Sequence, residues 1–399
     1  MPRRLPQLEF TALLALLFAI VAFSIDAMLP GLPDIAADLS PNDPNRAQLV
    51  LAAFVFGMGF GTLVSGPISD HFGRKPLILF GLFLYALGAI FAGLSHSMEM
   101  MLVGRVLQGF GAAFPRTVGV AMVRDLYEGR DMAKIISFVM TIFMLAPAVA
   151  PSVGALIIGH FGWHGVFASF VLLAAISALW FGLRQGETLA PENHRKLNPR
   201  DLMQGVRQVL GIYNVRLYIL ILTLGFAQMF SILSSVQPIY DQGFDLGASF
   251  PYWFGATAIL SAAGAIINGN LVTRLGMHVM IRLGYRIAAI ASLIALIMNL
   301  TGLAGATPFG FAVFFMWTVA MFFINAFTFG NLNALAMVPL GRLAGMGNSV
   351  IGALFTMGSV VIAAPVGLMF NGTPVPVMVA GLICSGLALV LFRMEKPEA

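Results

Sequence analysis

Gly66-Pro-Ile-Ser-Asp-His-Phe-Gly73-Arg-Lys-Pro-Leu-Ile-Leu-Phe-Gly81 and Gly269-Asn-Leu-Val-Thr-Arg-Leu-Gly276-Met-His-Val-Met-Ile-Arg-Leu-Gly284 are one pattern written twice, with all three glycines at the same spacing. The second copy follows the first by about half of the 399 residues. Each lies between long apolar runs. A duplication of this kind points to a membrane protein assembled from two similar halves.

Composition agrees. Hydrophobic residues make up 59% of the chain and charged residues 10%, against about 25% charged in soluble domains. A helix that crosses the hydrocarbon core needs about 20 mostly apolar residues. Such runs occur near 8–30, 46–68, 76–95, 99–123, 135–159, 163–183, 214–240, 249–272, 279–301, 307–332, 343–370 and 374–392. The pattern predicts an all-α integral membrane protein of 12 transmembrane helices in two pseudo-symmetric six-helix bundles.

Charge sorts by side. With the N-terminus placed in the cytoplasm, all of the 22 lysines and arginines except Arg46, Arg105 and Arg116 fall on the cytoplasmic side or at its edge. The opposite loops carry mainly acids, among them Asp34, Asp38, Asp43, Glu99, Asp241 and Asp245. This is the positive-inside pattern, and one miscounted span would invert it from that point on. Both termini are therefore expected in the cytoplasm. Basic residues do not gather on one solvated face, so nucleic acid is not an expected partner. The lipid bilayer is.

Arg3 and Arg4 before an apolar run resemble a signal peptide. The run is too long for one, lacks a small-residue exit before Pro30 and contains Asp26, so it is expected to remain as the first span. Cys384 is the single cysteine; it supports neither a disulfide framework nor a cysteine metal site. The longest polar stretch, 184–213, reads as a solvated linker followed by a short amphipathic helix. Asn198 would cap that helix and Pro199 would begin it. The expected organisation is a first bundle over 1–184, a cytoplasmic linker over 185–213 and a second bundle over 214–399.

Four motifs in the first half carry a family resemblance. Span 1 ends Phe-Ser-Ile-Asp26-Ala-Met-Leu-Pro-Gly-Leu-Pro33. The loop after span 2 holds Gly66, Asp70, Gly73, Arg74 and Lys75. Span 4 reads Gly104-Arg105-Val-Leu-Gln108-Gly109 and is followed by Val-Arg124-Asp125-Leu-Tyr127. Span 5 carries Ala146-Pro147-Ala-Val-Ala-Pro151-Ser-Val-Gly154. The chain resembles the major facilitator superfamily and, within it, the Bcr/CflA group of drug/proton antiporters. The second half supports this mainly through span count and the repeat. The resemblance implies a secondary active transporter, not an enzyme. It would act as a monomer in the bacterial inner membrane, exporting small organic molecules by alternating access. A proton gradient would drive it, without a cofactor. A metabolite exporter or an uptake symporter on the same scaffold is the alternative.

The residues have their own reading. Asp26 is the one carboxylate inside a span. An acid there costs about 2.5–3.5 kcal/mol on insertion scales and usually marks a proton or substrate path; a salt bridge or an end-of-helix position is the bland alternative. Arg105 falls in the same third of the membrane. If the two meet in one state and separate in the other, proton release depends on conformation. The resemblance makes Asp70, Arg74, Lys75 and Asp125, with Gly66 and Gly73 for the turn, a cytoplasmic gate. Anchoring a short loop against headgroups is the simpler alternative. In the second copy Thr273 stands for Asp70 and Met277-His278 for Arg74-Lys75, so such a gate would be one-sided. Pro147, Pro151 and Gly154 form a helix break that the resemblance associates with antiporters.

Arg116 lies about three turns after Arg105 on the same face of span 4. It would bind an anionic or carbonyl-rich substrate, or snorkel to the inner interface. Gln108, Gln237, Tyr240 and Asn325 are the other candidate substrate contacts. The histidines are scattered and only His160 and His164 are close, which gives no metal or enzyme site. No ring of polar residues recurs as in a channel.

Overall fold

A computed structural model describes residues 5–194 and 199–396. Arg3, Arg4, Arg195, Lys196 and the Asn198 cap lie outside the described residues. Every regular element among those described is helical. The chain divides into two compact units, Met1–Gly205 and Val206–Ala399.

In the first unit, α1 (Gln7–Asp26) leads through a short helical turn into α2 (Leu32–Leu39). Then come α3 (Leu49–Phe72), α4 (Arg74–Gly93), α5 (Met98–Leu126) and α6 (Gly129–Arg184). The helix α7 (Pro199–Gly211) carries the amphipathic pattern, with Val209 buried and Arg207 and Gln208 exposed. The second unit holds α8 (Tyr213–Pro238), α9 (Phe250–Leu275), α10 (Met277–Leu300), α11 (Pro308–Met337), α12 (Ala344–Leu368) and α13 (Val375–Phe392).

Eleven of these stretches are long and apolar enough to cross a membrane. One of them counts twice. The 56 residues of α6 would run about 84 Å as a single rod, nearly three times the hydrocarbon core. Gly162 interrupts it with φ 65° and ψ −178°. Contacts with the first helix show the reversal. Gly154 lies against Ala27, just past the end of α1, and Trp163 bonds Asp38 in α2. Arg184 instead bonds Glu9, at the start of α1. The chain therefore crosses once over 129–161 and returns over 163–184, and the expected twelve crossings are present.

Packing repeats between the units. In the first, α5 packs on α3 and α4, and α6 packs on α1 and α4. In the second, α11 packs on α9 and α10, α8 on α12 and α13, and α10 on α13. The correspondence follows helix order, as expected of a duplicated bundle.

The repeated glycines have different duties. Gly73 has φ 99° and Gly276 has φ 82°, a region that L residues with a Cβ avoid. Each joins two long helices with no intervening loop. A Cβ on Gly81 would come 2.5 Å from that of Phe114, and one on Gly284 2.8 Å from Thr328 Cγ2. The third glycine thus lets α4 approach α5, and α10 approach α11. Gly66 is not part of the turn, as the sequence suggested, but sits within α3. One positive-φ residue suffices to reverse the chain.

Candidate functional site

Asp26 ends α1 and is buried. Among the described residues no hydrogen bond or ion pair engages its carboxylate. Two residues before it, Ser24 looks the opposite way, because two steps along a helix turn the side chain by about 200°. The Ser24 hydroxyl lies 2.6 Å from Tyr85 Oη of α4.

Arg105 of α5 is fully buried on that Ser24 side. It donates from Nε to Val50 O at 3.1 Å, from Nη1 to Gln108 Oε1 at 2.7 Å and from Nη2 to Ser24 O at 3.0 Å. Its guanidinium carbon lies 4.5 Å from the centre of the Phe54 ring. Arg105 therefore ties α1, α3 and α5 together through carbonyl oxygens, two residues from Asp26 but without pairing with it. The sequence brought Asp26 and Arg105 to the same depth; the structure puts them on different faces of α1. Gln108 serves Arg105 here.

The backbone beside Asp26 is crowded. A Cβ on Gly154 would stand 2.0 Å from Ala27 O, so α6 meets α1 main chain to main chain next to the carboxyl. Pro147 and Pro151 do not break α6, in contrast to the sequence expectation: the one residue with non-helical angles is Gly162. Proline costs a helix one hydrogen bond, while its fixed φ remains compatible with the helix.

At the other end of the unit, Arg74 is buried between two acids. Its Nη1 meets Asp70 Oδ1 at 2.6 Å and Ser69 Oγ at 2.5 Å, and its Nε meets Asp125 Oδ2 at 3.1 Å. Lys75 Nζ donates to Gly182 O at 2.7 Å. Arg74 is too buried to face headgroups, whereas Lys75 stays partly exposed. Glu187, which the sequence placed in a solvated linker, accepts from the backbone N–H groups of Arg74 and Lys75 at 3.0 and 2.9 Å. A carboxylate here satisfies orphan donors and meets the positive end of the α4 dipole. Thr188 Oγ1 adds a bond to Asp125 Oδ2 at 3.0 Å. The second unit has a counterpart of different composition. His278 Nε2 lies 2.7 Å from Glu395 Oε1, and Tyr218 Oη donates to the same oxygen. Thr273 turns its hydroxyl to Asn270 O instead.

Arg116 differs from Arg105. It is partly exposed, and Nη1 has a sulfur contact at 3.9 Å with Met58 Sδ of α3. Its guanidinium carbon sits 5.8 Å from the centre of the Phe143 ring in α6. Among the described residues no oxygen lies in hydrogen-bond reach of it. Helical arginines lean toward the N-terminus of their helix, which in α5 is the Asp26 side. That direction places the guanidinium about level with the middle of α5, away from the nearer membrane face, and speaks against snorkelling.

In the second unit, Gly225, Gln228, Met229, Ile232, Met321, Phe322 and Asn325 line a small cleft between α8 and α11. Asn325 Nδ2 contacts Met229 Sδ at 3.3 Å, and Gln228 Oε1 accepts from Ser385 Oγ at 2.8 Å. Tyr240 is elsewhere. It is buried among Phe250, Phe311 and Phe314, a packing position and not a cleft wall. Gln237 is buried one turn before it. His160 and His164 do not converge on a ligand: His164 stacks on Trp163, and no group of metal-ligating side chains occurs among the described residues.

The family model of the Major Facilitator Superfamily matches residues 14–364. The chain belongs to this superfamily. Among similar proteins, a bicyclomycin resistance protein homolog of Haemophilus influenzae is 29% identical, with 88% of this chain and 87% of that protein covered. The uncharacterized MFS-type transporter YdgK of Bacillus subtilis is 30% identical, with coverage of 89% and 88%. The multidrug resistance protein MdtL of an Escherichia coli strain is 28% identical, with coverage of 94% and 93%. Among solved structures, a D-xylose–proton symporter aligns with a TM-score of 0.76 at 13% identity, covering 96% of this chain and 97% of that one. That likeness shows the major facilitator fold and nothing finer. The chain is thus a multi-pass membrane transporter of this superfamily.

Several partners in the site had no visible signal in the sequence. Glu187 and Thr188 follow span 6 in a polar stretch, where acids are common. Tyr85, Met229 and Met321 are residue types that fill any apolar helix. Trp163 bonding Asp38 depends on how the start of span 6 packs against α2, which spacing along the chain does not carry.

Proposed function

We propose that the chain is a proton-coupled antiporter, acting as a monomer, that exports small organic molecules across a bacterial inner membrane by alternating access. The observation that carries this reading is Asp26: a buried carboxyl at the end of α1 whose oxygens engage no other described residue. An intramembrane acid is costly and by default belongs to a proton or substrate path. One that is free of a fixed cation is available to exchange its proton. The relatives named for bicyclomycin and multidrug resistance support export of drug-like molecules.

In this reading, Asp26 takes a proton from the outside and gives it up inside as substrate is carried out. Arg105 keeps α1, α3 and α5 in register so that Asp26 moves with the bundle. The Asp70–Arg74–Asp125 cluster, closed by Glu187, is the cytoplasmic gate of the first bundle. Both termini lie in the cytoplasm, on the side where the basic residues gather. Gln228 and Asn325 supply polar contacts in an otherwise apolar cleft, and the methionines beside them suit ligands of varied shape.

Everted membrane vesicles test this. With an inside-acid gradient imposed by respiration, at least one of a set of drugs that includes neutral bicyclomycin and the carboxylate nalidixate should raise internal pH when added to vesicles holding the protein. No pH response, together with gradient-independent uptake, would exclude proton antiport. Proton movement in the same direction as substrate would identify a symporter.

A further inference from the structure

The two arginines of α5 share a helix face but not a chemistry. Arg105 is closed: fully buried, with three oxygen acceptors and an aromatic ring beneath it. Arg116 is open. It is partly exposed, and its five N–H donors meet only the Met58 sulfur and the Phe143 ring among the described residues. Arg116 lies ten residues before the end of α5 at Leu126, about 15 Å along the axis. Its guanidinium extends further from that end, toward Met58. The depth of Met58 confirms this. A Cβ on Gly109 would lie 3.0 Å from Met58 N, so Met58 is level with a residue two turns outward of Arg116. The charge is therefore held near the middle of the bilayer, not carried to its surface.

A permanent cation at that depth has no structural duty comparable to that of Arg105. Removing it would break no oxygen hydrogen bond among the described residues. A planar fork of donors without oxygen partners suits a carboxylate or another oxyanion, which it can grip through two parallel bonds. A cationic ligand would be repelled at the same place.

We propose that Arg116 is the specificity-determining residue of the transport path and that the exported molecules present an anionic oxygen group, of the carboxylate class, to its guanidinium. This rests on the antiport reading. It adds a consequence for charge. If Asp26 carries one proton inward for each monoanion leaving, two positive charges move inward per turnover. Exchange of one proton for a monocation moves none. Export of an anion by this route is thus driven by membrane voltage as well as by pH.

The test uses the purified full chain in proteoliposomes with three probes: nalidixate, a carboxylate; chloramphenicol, which is neutral; and tetraphenylphosphonium, a permanent cation. Proton movement and current are recorded for wild type, Arg116→Gln and Arg116→Lys. We expect wild type to favour nalidixate and to pass two charges with each molecule. Arg116→Gln should lower the nalidixate-to-chloramphenicol rate ratio at least tenfold, chiefly through KM. Arg116→Lys should recover part of it, since the charge remains while the fork is lost. A ratio that changes less than twofold in Arg116→Gln overturns the inference, as does a wild type that moves protons with the neutral or cationic probe but not with nalidixate. A wild type that moves no protons with any probe refutes the antiport reading instead. Equilibrium binding of radiolabelled nalidixate then decides on Arg116: a tenfold weaker affinity in Arg116→Gln upholds the site, and an equal affinity removes it.

Discussion

Replacing Glu187 with glutamine removes the charge that closes the start of α4. In the native chain Oε1 accepts from the N–H groups of Arg74, Thr188 and Leu189 at 3.0, 2.8 and 2.9 Å, and Oε2 accepts from Lys75 N–H at 2.9 Å. The first N–H groups of any helix lack partners within it. Glutamine keeps one acceptor oxygen, but its amide NH2 must turn toward a donor. One charge-assisted hydrogen bond is worth about 1.5–3 kcal/mol, and a carboxylate at a helix N-terminus about 0.3–1 kcal/mol more. Glu187 is only half-buried, so the lower end applies, about 2 kcal/mol, or roughly a 30-fold change in a local opening equilibrium. Hydrogen exchange of the detergent-solubilised protein reads this directly. Amides of Arg74 and Lys75 should exchange about 30-fold faster in Glu187→Gln, while amides in the middle of α5 should not change. Exchange at Arg74 and Lys75 within threefold of wild type would refute the view that Glu187 closes this helix end.

Three further outcomes follow from the backbone and from buried donors. Gly276→Ala should cost about 1–3 kcal/mol, since φ 82° with ψ 158° is a backbone region that essentially only glycine adopts. Gly73→Ala should cost more, because the added methyl lies 2.7 Å from Glu187 Oε2; thermal unfolding in detergent should rank them in that order. Arg105→Lys leaves at least one of Val50 O, Ser24 O and Gln108 Oε1 without a donor. At about 1–3 kcal/mol per buried unsatisfied group, it should lower the unfolding temperature measurably and slow transport of every substrate alike. Gly154→Leu would drive a side chain into Ala27 O, 2.0 Å from the first added carbon. It should give little folded protein in size-exclusion chromatography, and a normal yield would contradict the close contact of α1 with α6.

The architecture was legible because a bilayer imposes simple rules. Apolar length gave the crossings, and the glycine spacing of 66–81 and 269–284 exposed the duplication. The resemblance carried by Asp26, Arg105 and the Gly73-Arg74-Lys75 loop gave the superfamily. Pairings read less well. Arg74 and Asp125 could be matched from the sequence, since both sit at helix ends on one side of the membrane. Arg105 could not be separated from Asp26 by depth alone, because which side of α1 each one faces depends on packing. Pro147 and Pro151 looked like a break within span 5, but the helical angles run on through both; the reversal between spans 5 and 6, expected near 160–162, falls at Gly162. Proline restrains φ within the helical range, but glycine alone readily takes φ 65°. Tyr240 could not be told from a cleft residue, since its neighbours Phe250, Phe311 and Phe314 come from two other helices.

The role of Asp26 is best measured by separating exchange from coupling in proteoliposomes. Asp26→Asn should still exchange labelled for unlabelled substrate across the membrane with no gradient, because the bundle and the cleft remain. Under an imposed pH gradient it should neither concentrate substrate nor move protons when substrate is added. An Asp26→Asn variant that still drives substrate uphill with a pH gradient would contradict the account.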